Sequence, residues 1–89
     1  MKIFKYPLLI GTHTYIDLPG VFPTAFQPRF VGEQNGTLTL WLGVNEEMSL
    51  KRYQIIVVGT GWDYDSSWTY LGSCQIDIFV WHVFLKGDA

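Results

Sequence analysis

The sequence predicts an all-β domain, a small antiparallel sandwich or partly closed barrel of about six strands with little helix. Three observations carry that expectation. Leu38, Leu40, Leu42 and Val44 alternate with Thr37, Thr39, Trp41 and Gly43, the period-two pattern of a strand with one buried face. Asn35-Gly36 stands directly before that run, and Asn-Gly tolerates the positive φ angles of a two-residue hairpin turn. Cys74 to Leu85 is apolar on both alternating faces, with Ile76, Ile78, Val80, His82 and Phe84 against Asp77, Phe79, Trp81, Val83 and Leu85. A strand of that kind needs cover on both sides. It is therefore expected at the centre of the fold, beneath a second sheet or another subunit.

The chain opens with Lys2 to Tyr6, where Ile3 and Lys5 alternate with Phe4 and Tyr6. Pro7 ends this strand or places it at an edge, because proline cannot donate to a ladder. Leu8 to Ile10 could continue it as far as Gly11. His13 to Leu18 is a second short strand, with Thr14, Ile16 and Leu18 opposite His13, Tyr15 and Asp17, closed by a Pro19-Gly20 turn. Pro23 and Pro28 exclude a long helix and a central strand between Val21 and Gln34. Phe22, Phe26 and Phe30 are expected to plug the core from an irregular segment, and Arg29 to Glu33 to pair at an edge.

Asn45 to Leu50 is polar and suits a loop or one helical turn. Lys51 to Val58 sets Tyr53, Ile55 and Val57 against Arg52, Gln54, Ile56 and Val58, half-wet at its start and buried on both sides at its end. Gly59-Thr60-Gly61 opens a polar, aromatic loop through Trp62-Asp63-Tyr64-Asp65-Ser66-Ser67, after which Trp68 to Cys74 alternates again. Between Gln75 and Ile78 both a tight turn near Asp77 and a bulged strand remain open. Lys86 to Ala89 reads as a frayed tail.

An 89-residue chain makes one domain, spanning 1–89, and buries a modest core. Its single cysteine, Cys74, excludes an internal disulfide, and no Cys/His cluster suggests zinc. Small scaffolds without staples often oligomerise. The composition, 48% hydrophobic and 16% charged, points the same way, so a homo-oligomer is expected. Six Lys/Arg against eight Asp/Glu, scattered apart from Lys51-Arg52, offer no basic stripe for a nucleic-acid polymer. No apolar run approaches the roughly 20 residues that span a membrane. The N-terminal lysines and short apolar run are interrupted by Pro7 and lack a small-residue cleavage site, so a cytosolic setting is expected.

Motifs that could carry chemistry are incomplete. Gly59-Thr60-Gly61 lacks the third glycine and the helix of a dinucleotide fingerprint. Asp63 and Asp65 lack the glycine and distal glutamate of a calcium loop. Asn35-Gly36-Thr37 is formally a glycosylation sequon, but reads as a hairpin. Ser73, Cys74, Asp77 and His82 supply the residue types of nucleophilic catalysis outside any nucleophile motif. No catalytic residue, metal or cofactor is therefore expected. The aromatic residues carry the stronger signal. Trp41, Tyr53, Trp62, Tyr64 and Trp68, with Arg29, Lys51 and Arg52 as cations, form the candidate ligand- or partner-binding set. Rings stack on bases and anchor interfaces, and cations meet phosphates or carboxylates.

The order of short motifs resembles a family of small uncharacterised bacteriophage and prophage proteins. It runs from K-I-F-K-Y at the start through Q-N-G-T-L-T-L-W-L-G-V, a V-G-T-G loop and T-Y-L-G-S-C-Q to a closing V-W-H-V-F. This chain departs from the pattern in a longer Val21–Arg29 segment, and in Trp62-Asp63 after G-T-G where relatives often carry His-Pro. The resemblance implies a phage accessory protein acting in the host bacterial cytoplasm. By analogy with such proteins, it counters host defence without catalysis. It would do so by sequestering a small nucleotide signal or by blocking a host defence protein. The alternative is a structural or assembly accessory of the phage particle.

Overall fold

The computed structural model describes residues 1–11 and 13–88. Those residues form seven strands in two antiparallel sheets, packed as a sandwich rather than a closed barrel, and no helix. The first sheet has the order β1 (Lys2–Pro7), β4 (Thr37–Val44), β3 (Phe26–Gln34). The second has the order β2 (His13–Pro19), β5 (Leu50–Gly59), β7 (Phe79–Asp88), β6 (Thr69–Ile76).

The alternating patterns decide which face of each strand turns inward. Leu38, Leu40, Leu42 and Val44 of β4 meet Tyr53, Ile55 and Val57 of β5, with Val83 and Leu85 of β7 and Ile16 and Leu18 of β2 closing the same core. Asn35 (φ 52°) and Gly36 (φ 81°) form the expected hairpin turn, with Gln34 paired to Thr37. The Glu33 carboxylate accepts the Gly36 N–H and closes the turn from below.

The segment before β3 behaves differently from expectation in two respects. Pairing begins at Phe26 and runs through Pro28, which is tolerated because β3 is an edge strand. Of the three phenylalanines, Phe26 is fully buried and Phe22 packs on the core, but Phe30 is 61% exposed. The reason is a register shift between Pro28 and Phe30, which leaves Arg29 unpaired and turns Phe30 to the outer face.

The closing stretch is divided. Cys74–Ile76 ends β6, Asp77 (φ 54°) and Ile78 make a turn, and β7 begins at Phe79. The open choice at residues 75–78 is thus resolved as a hairpin, braced by the Gln75 side-chain amide donating to the Asp77 carbonyl at 3.0 Å. β7 is central, between β5 and β6, as its two apolar faces require. It also runs to Asp88, so the expected frayed tail is instead a strand end. Ala89 lies outside the described residues.

Strand direction dictates what covers the outer face of β7. β5 and β6 are each antiparallel to β7 and hence parallel to one another. The connection between them, residues 60–68, must therefore travel back along the length of β7, and it does so over the outer face. Phe84 points away from the inter-sheet core, yet is only 7% exposed. Tyr64 stacks on it at 5.0 Å and 18°, with Trp68 and Tyr70 at 6.0 and 5.7 Å. The second cover for this strand is its own crossover loop, where a second sheet or subunit was expected.

Candidate binding site

Two shallow apolar hollows open at the end of the sandwich where β5 leaves its sheet. One, of about 300 Å³, is lined by Val58, Gly59, Gly61, Tyr64, His82 and Phe84. The other, of about 410 Å³, is lined by Gly59, Ile78, Phe79, Val80 and Trp81. Thr60 and Trp62 border both, so Trp62 forms the ridge between them. Its indole meets Trp81 edge-on at 5.7 Å and remains 50% exposed. Gly59 makes this possible, since a Cβ there would sit 3.1 Å from both indoles. Ile78 and Phe79, at 85% and 57% exposure, form the outer rim at the hairpin tip.

A chain of hydrogen bonds ties the loop to the sheet beneath the hollows. Tyr70 Oη lies 2.6 Å from Ser73 Oγ, Ser73 Oγ 2.9 Å from His82 Nδ1, and His82 Nε2 2.8 Å from Thr60 Oγ1. The Thr60 hydroxyl donates to the Val80 carbonyl at 3.4 Å, which orients the whole series: His82 donates through Nε2 and accepts from Ser73 through Nδ1. Ser73 and His82 thus have the spacing of a nucleophile and its base. The second ring nitrogen, however, is given to a hydroxyl and not to an orienting carboxylate. The arrangement latches Thr60 onto β7 and β6.

At its far end the loop is shaped by Asp65. Its carboxylate accepts the Ser67 N–H at 2.9 Å and its carbonyl the Trp68 N–H at 3.0 Å. The Ser67 backbone bond, then the Ser67 hydroxyl and the nearby Lys86 charge, hold the Asp65 carboxyl below the usual carboxylate range. Lys86 lies over the Trp68 ring at 5.1 Å and 3.1 Å from His13 Nε2. Among the described residues no group of three or more His, Cys, Asp or Glu side chains is placed to hold a metal ion.

The eight candidate residues do not converge. Trp62 and Tyr64 border the hollows, and Trp68 anchors the loop on Phe84. Tyr53 is 3% exposed, packs edge-on against Phe26 and donates its hydroxyl to the Gly20 carbonyl at 2.7 Å, so it is a core residue rather than a stacking surface. Lys51 and Arg52 sit at the opposite end of β5, where Arg52 Nε meets Asp17 Oδ1 at 3.3 Å. Six strand residues separate Arg52 from Gly59, about 23 Å, too far for either cation to serve a ligand held at Trp62. Trp41 and Arg29 lie on the outer face of the other sheet. Sequence reasoning missed Ile78 and Phe79, whose exposure depends on the Asp77 turn, and the bonding role of His82, whose partners come from two separate segments, the 60–68 loop and β6.

Cys74 is half-buried beside β3. Burial pushes its thiol up, and the Glu33 carboxylate adds to the effect, partly offset by a hydrogen bond with the Glu33 backbone. The thiolate is the reactive form, so alkylation of Cys74 by iodoacetamide is expected to rise at higher pH than for free cysteine and to be several-fold slower at pH 8. A rate equal to that of free cysteine would contradict this.

Comparison with known proteins places residues 1–89 on the family model described as "Domain of unknown function (DUF7352)". No curated protein and no solved structure matches the chain. No helix among the described residues is long and apolar enough to cross a membrane.

Proposed function

The chain belongs to the DUF7352 family, and we propose that this member is a non-catalytic binding protein. It is a phage accessory that counters host defence in the bacterial cytoplasm by occupying a defence protein stoichiometrically. The observation that carries the reading is the exposed aromatic ridge. Trp62, Ile78 and Phe79 stand out of the surface around two apolar hollows, the loop of Trp62 tied to the sheet through Thr60 and His82. Rigid aromatic anchors beside pockets are what protein interfaces use to concentrate binding energy. The phage setting is supported by the motif order described above. Blocking a protein is favoured over capturing a nucleotide at this loop, because Lys51 and Arg52 lie at the far end of the sheet.

The same reading makes the protein a homo-oligomer. Val21, Met48 and Leu50 are exposed around the Gly20 turn at the opposite end, leaving an apolar surface for a second copy while the ridge stays free.

The test is affinity capture from bacterial lysate with the wild type and a Trp62→Ser/Phe79→Ser double variant, with the mass of each measured by light scattering. Expected are a saturable partner retained by the wild type, at least tenfold weaker retention by the variant, and an unchanged oligomeric mass above 10.2 kDa. Equal retention by both would overturn the assignment of the surface. Recovery of the protein as a stoichiometric component of purified phage particles would overturn the defence reading in favour of assembly.

A further inference from the structure

The outer face of the β1-β4-β3 sheet carries a second arrangement that the aromatic ridge does not use. Phe30 and Trp41 are paired across β3 and β4, with ring centroids 5.4 Å apart at 51°. The bulge described above places Arg29 on the same outer face as this ring pair. Two glycines seat these side chains flat. The Phe30 ring lies over Gly32, where any Cβ would collide with it, and Arg29 Nε lies 3.3 Å from where a Gly43 Cβ would be. Arg29 is positioned further by Gln27, whose Oε1 accepts from Nη2 at 3.0 Å and whose Nε2 donates to the Pro23 carbonyl at 3.2 Å.

On the other side of the ring pair, Lys5 is the direct partner of Trp41 on β1, and its ammonium reaches across β4 to Gln34 Oε1 at 2.7 Å. Lys5, Pro7, Gln34, Asn35, Thr37 and Thr39 line a cleft of about 240 Å³ there. The charged outward positions on these three strands are thus both cationic, in a chain whose formal net charge is −2.

We propose that this face binds a nucleotide, with the base on Phe30 and Trp41, its phosphate on Lys5 at the cleft, and Arg29 at the other edge of the base. Base stacking on aromatic rings contributes about 1–3 kcal/mol per base and tolerates any base. A guanidinium held in place by its neighbours stacks against a base with little ordering cost. The Lys5 cleft, with Gln34, Asn35, Thr37 and Thr39 beside it, is placed to take the phosphate end. This gives the nucleotide version of the binding function a site on the sheet opposite the aromatic ridge, and it stands whichever partner the ridge takes.

Isothermal titration with AMP, ADP, adenosine and inorganic phosphate tests it. The wild type is expected to bind AMP and ADP saturably, one per chain, at least tenfold tighter than either adenosine or phosphate, and more weakly as salt rises. Lys5→Gln/Arg29→Gln and, separately, Phe30→Ala are expected to weaken AMP at least tenfold, while Trp62→Ser/Phe79→Ser leaves it unchanged. These are exposed positions, so circular dichroism should report a native fold in each variant. No heat with either nucleotide at millimolar concentration would overturn the proposal. So would phosphate binding as tightly as AMP, or binding that survives loss of both cations.

Discussion

Replacing Phe84 with alanine is expected to cost about 3–5 kcal/mol, the range for emptying a buried aromatic position, although this ring lies outside the inter-sheet core. Phe84 is the surface on which Tyr64, Trp68 and Tyr70 rest. Its loss removes the apolar reason for residues 60–68 to lie on the sheet. Against a total stability of roughly 4–13 kcal/mol for a domain of this length, that is about a quarter or more of what holds the chain folded. Urea unfolding gives the magnitude, and hydrogen exchange should show the amides of residues 62–68 losing protection in native buffer. The control lies on the other sheet. Phe30, also an outward-facing phenylalanine but 61% exposed, should change stability by about 0.5 kcal/mol or less when truncated. A loss below about 1 kcal/mol for Phe84→Ala would mean that the loop holds itself in place and that the rings merely touch.

Gly20→Ala should destabilise by about 2–4 kcal/mol, from two causes that act together. Gly20 has φ 76°, a left-handed conformation that costs an alanine about 1–2 kcal/mol. The added Cβ would also overlap the Cβ of Ala25, which can withdraw only by moving backbone, an overpacking cost of about 1–3 kcal/mol. The position has no slack because both its backbone groups are bonded to the start of β5. The Gly20 N–H donates to the Ser49 carbonyl at 2.9 Å and its carbonyl accepts the Tyr53 hydroxyl at 2.7 Å. Alanine at Gly36, which also has positive φ but meets nothing where a Cβ would stand, should show only the conformational part. Equal losses at the two positions would rule out the Ala25 collision as a contributor.

Most of the architecture was legible because burial in a sandwich has a period of two. The leucine face of β4, the Tyr53-Ile55-Val57 face of β5 and the Ile16-Leu18 face of β2 all lie where alternation puts them. The turn at Asp77 was harder to read, since Asp77-Ile78 has none of the glycine or asparagine that usually marks a tight hairpin, and apolar residues continue on both sides. The binding site was much less legible. Lys51 and Arg52 are close to Trp62 in sequence, but a strand is stiff, and the rest of β5 carries them apart. Trp41 meets Phe30 only because of a bulge at Arg29 that no periodicity announces. Above all, strand order decides where the 60–68 loop travels. Nothing in the residues of β5 or β6 says that β7 will lie between them, so the fate of Tyr64 and Trp68 could not be read locally.

Every edge of the two sheets is interrupted. β1 ends at Pro7 and β2 at Pro19, β3 carries Pro28 and its bulge, and β6 has a register shift between Tyr70 and Gly72. An uninterrupted border invites another chain to dock strand upon strand, the first step toward fibrils. In a chain nearly half apolar, these prolines and bulges work against growth into ribbons by backbone pairing along the sheet borders.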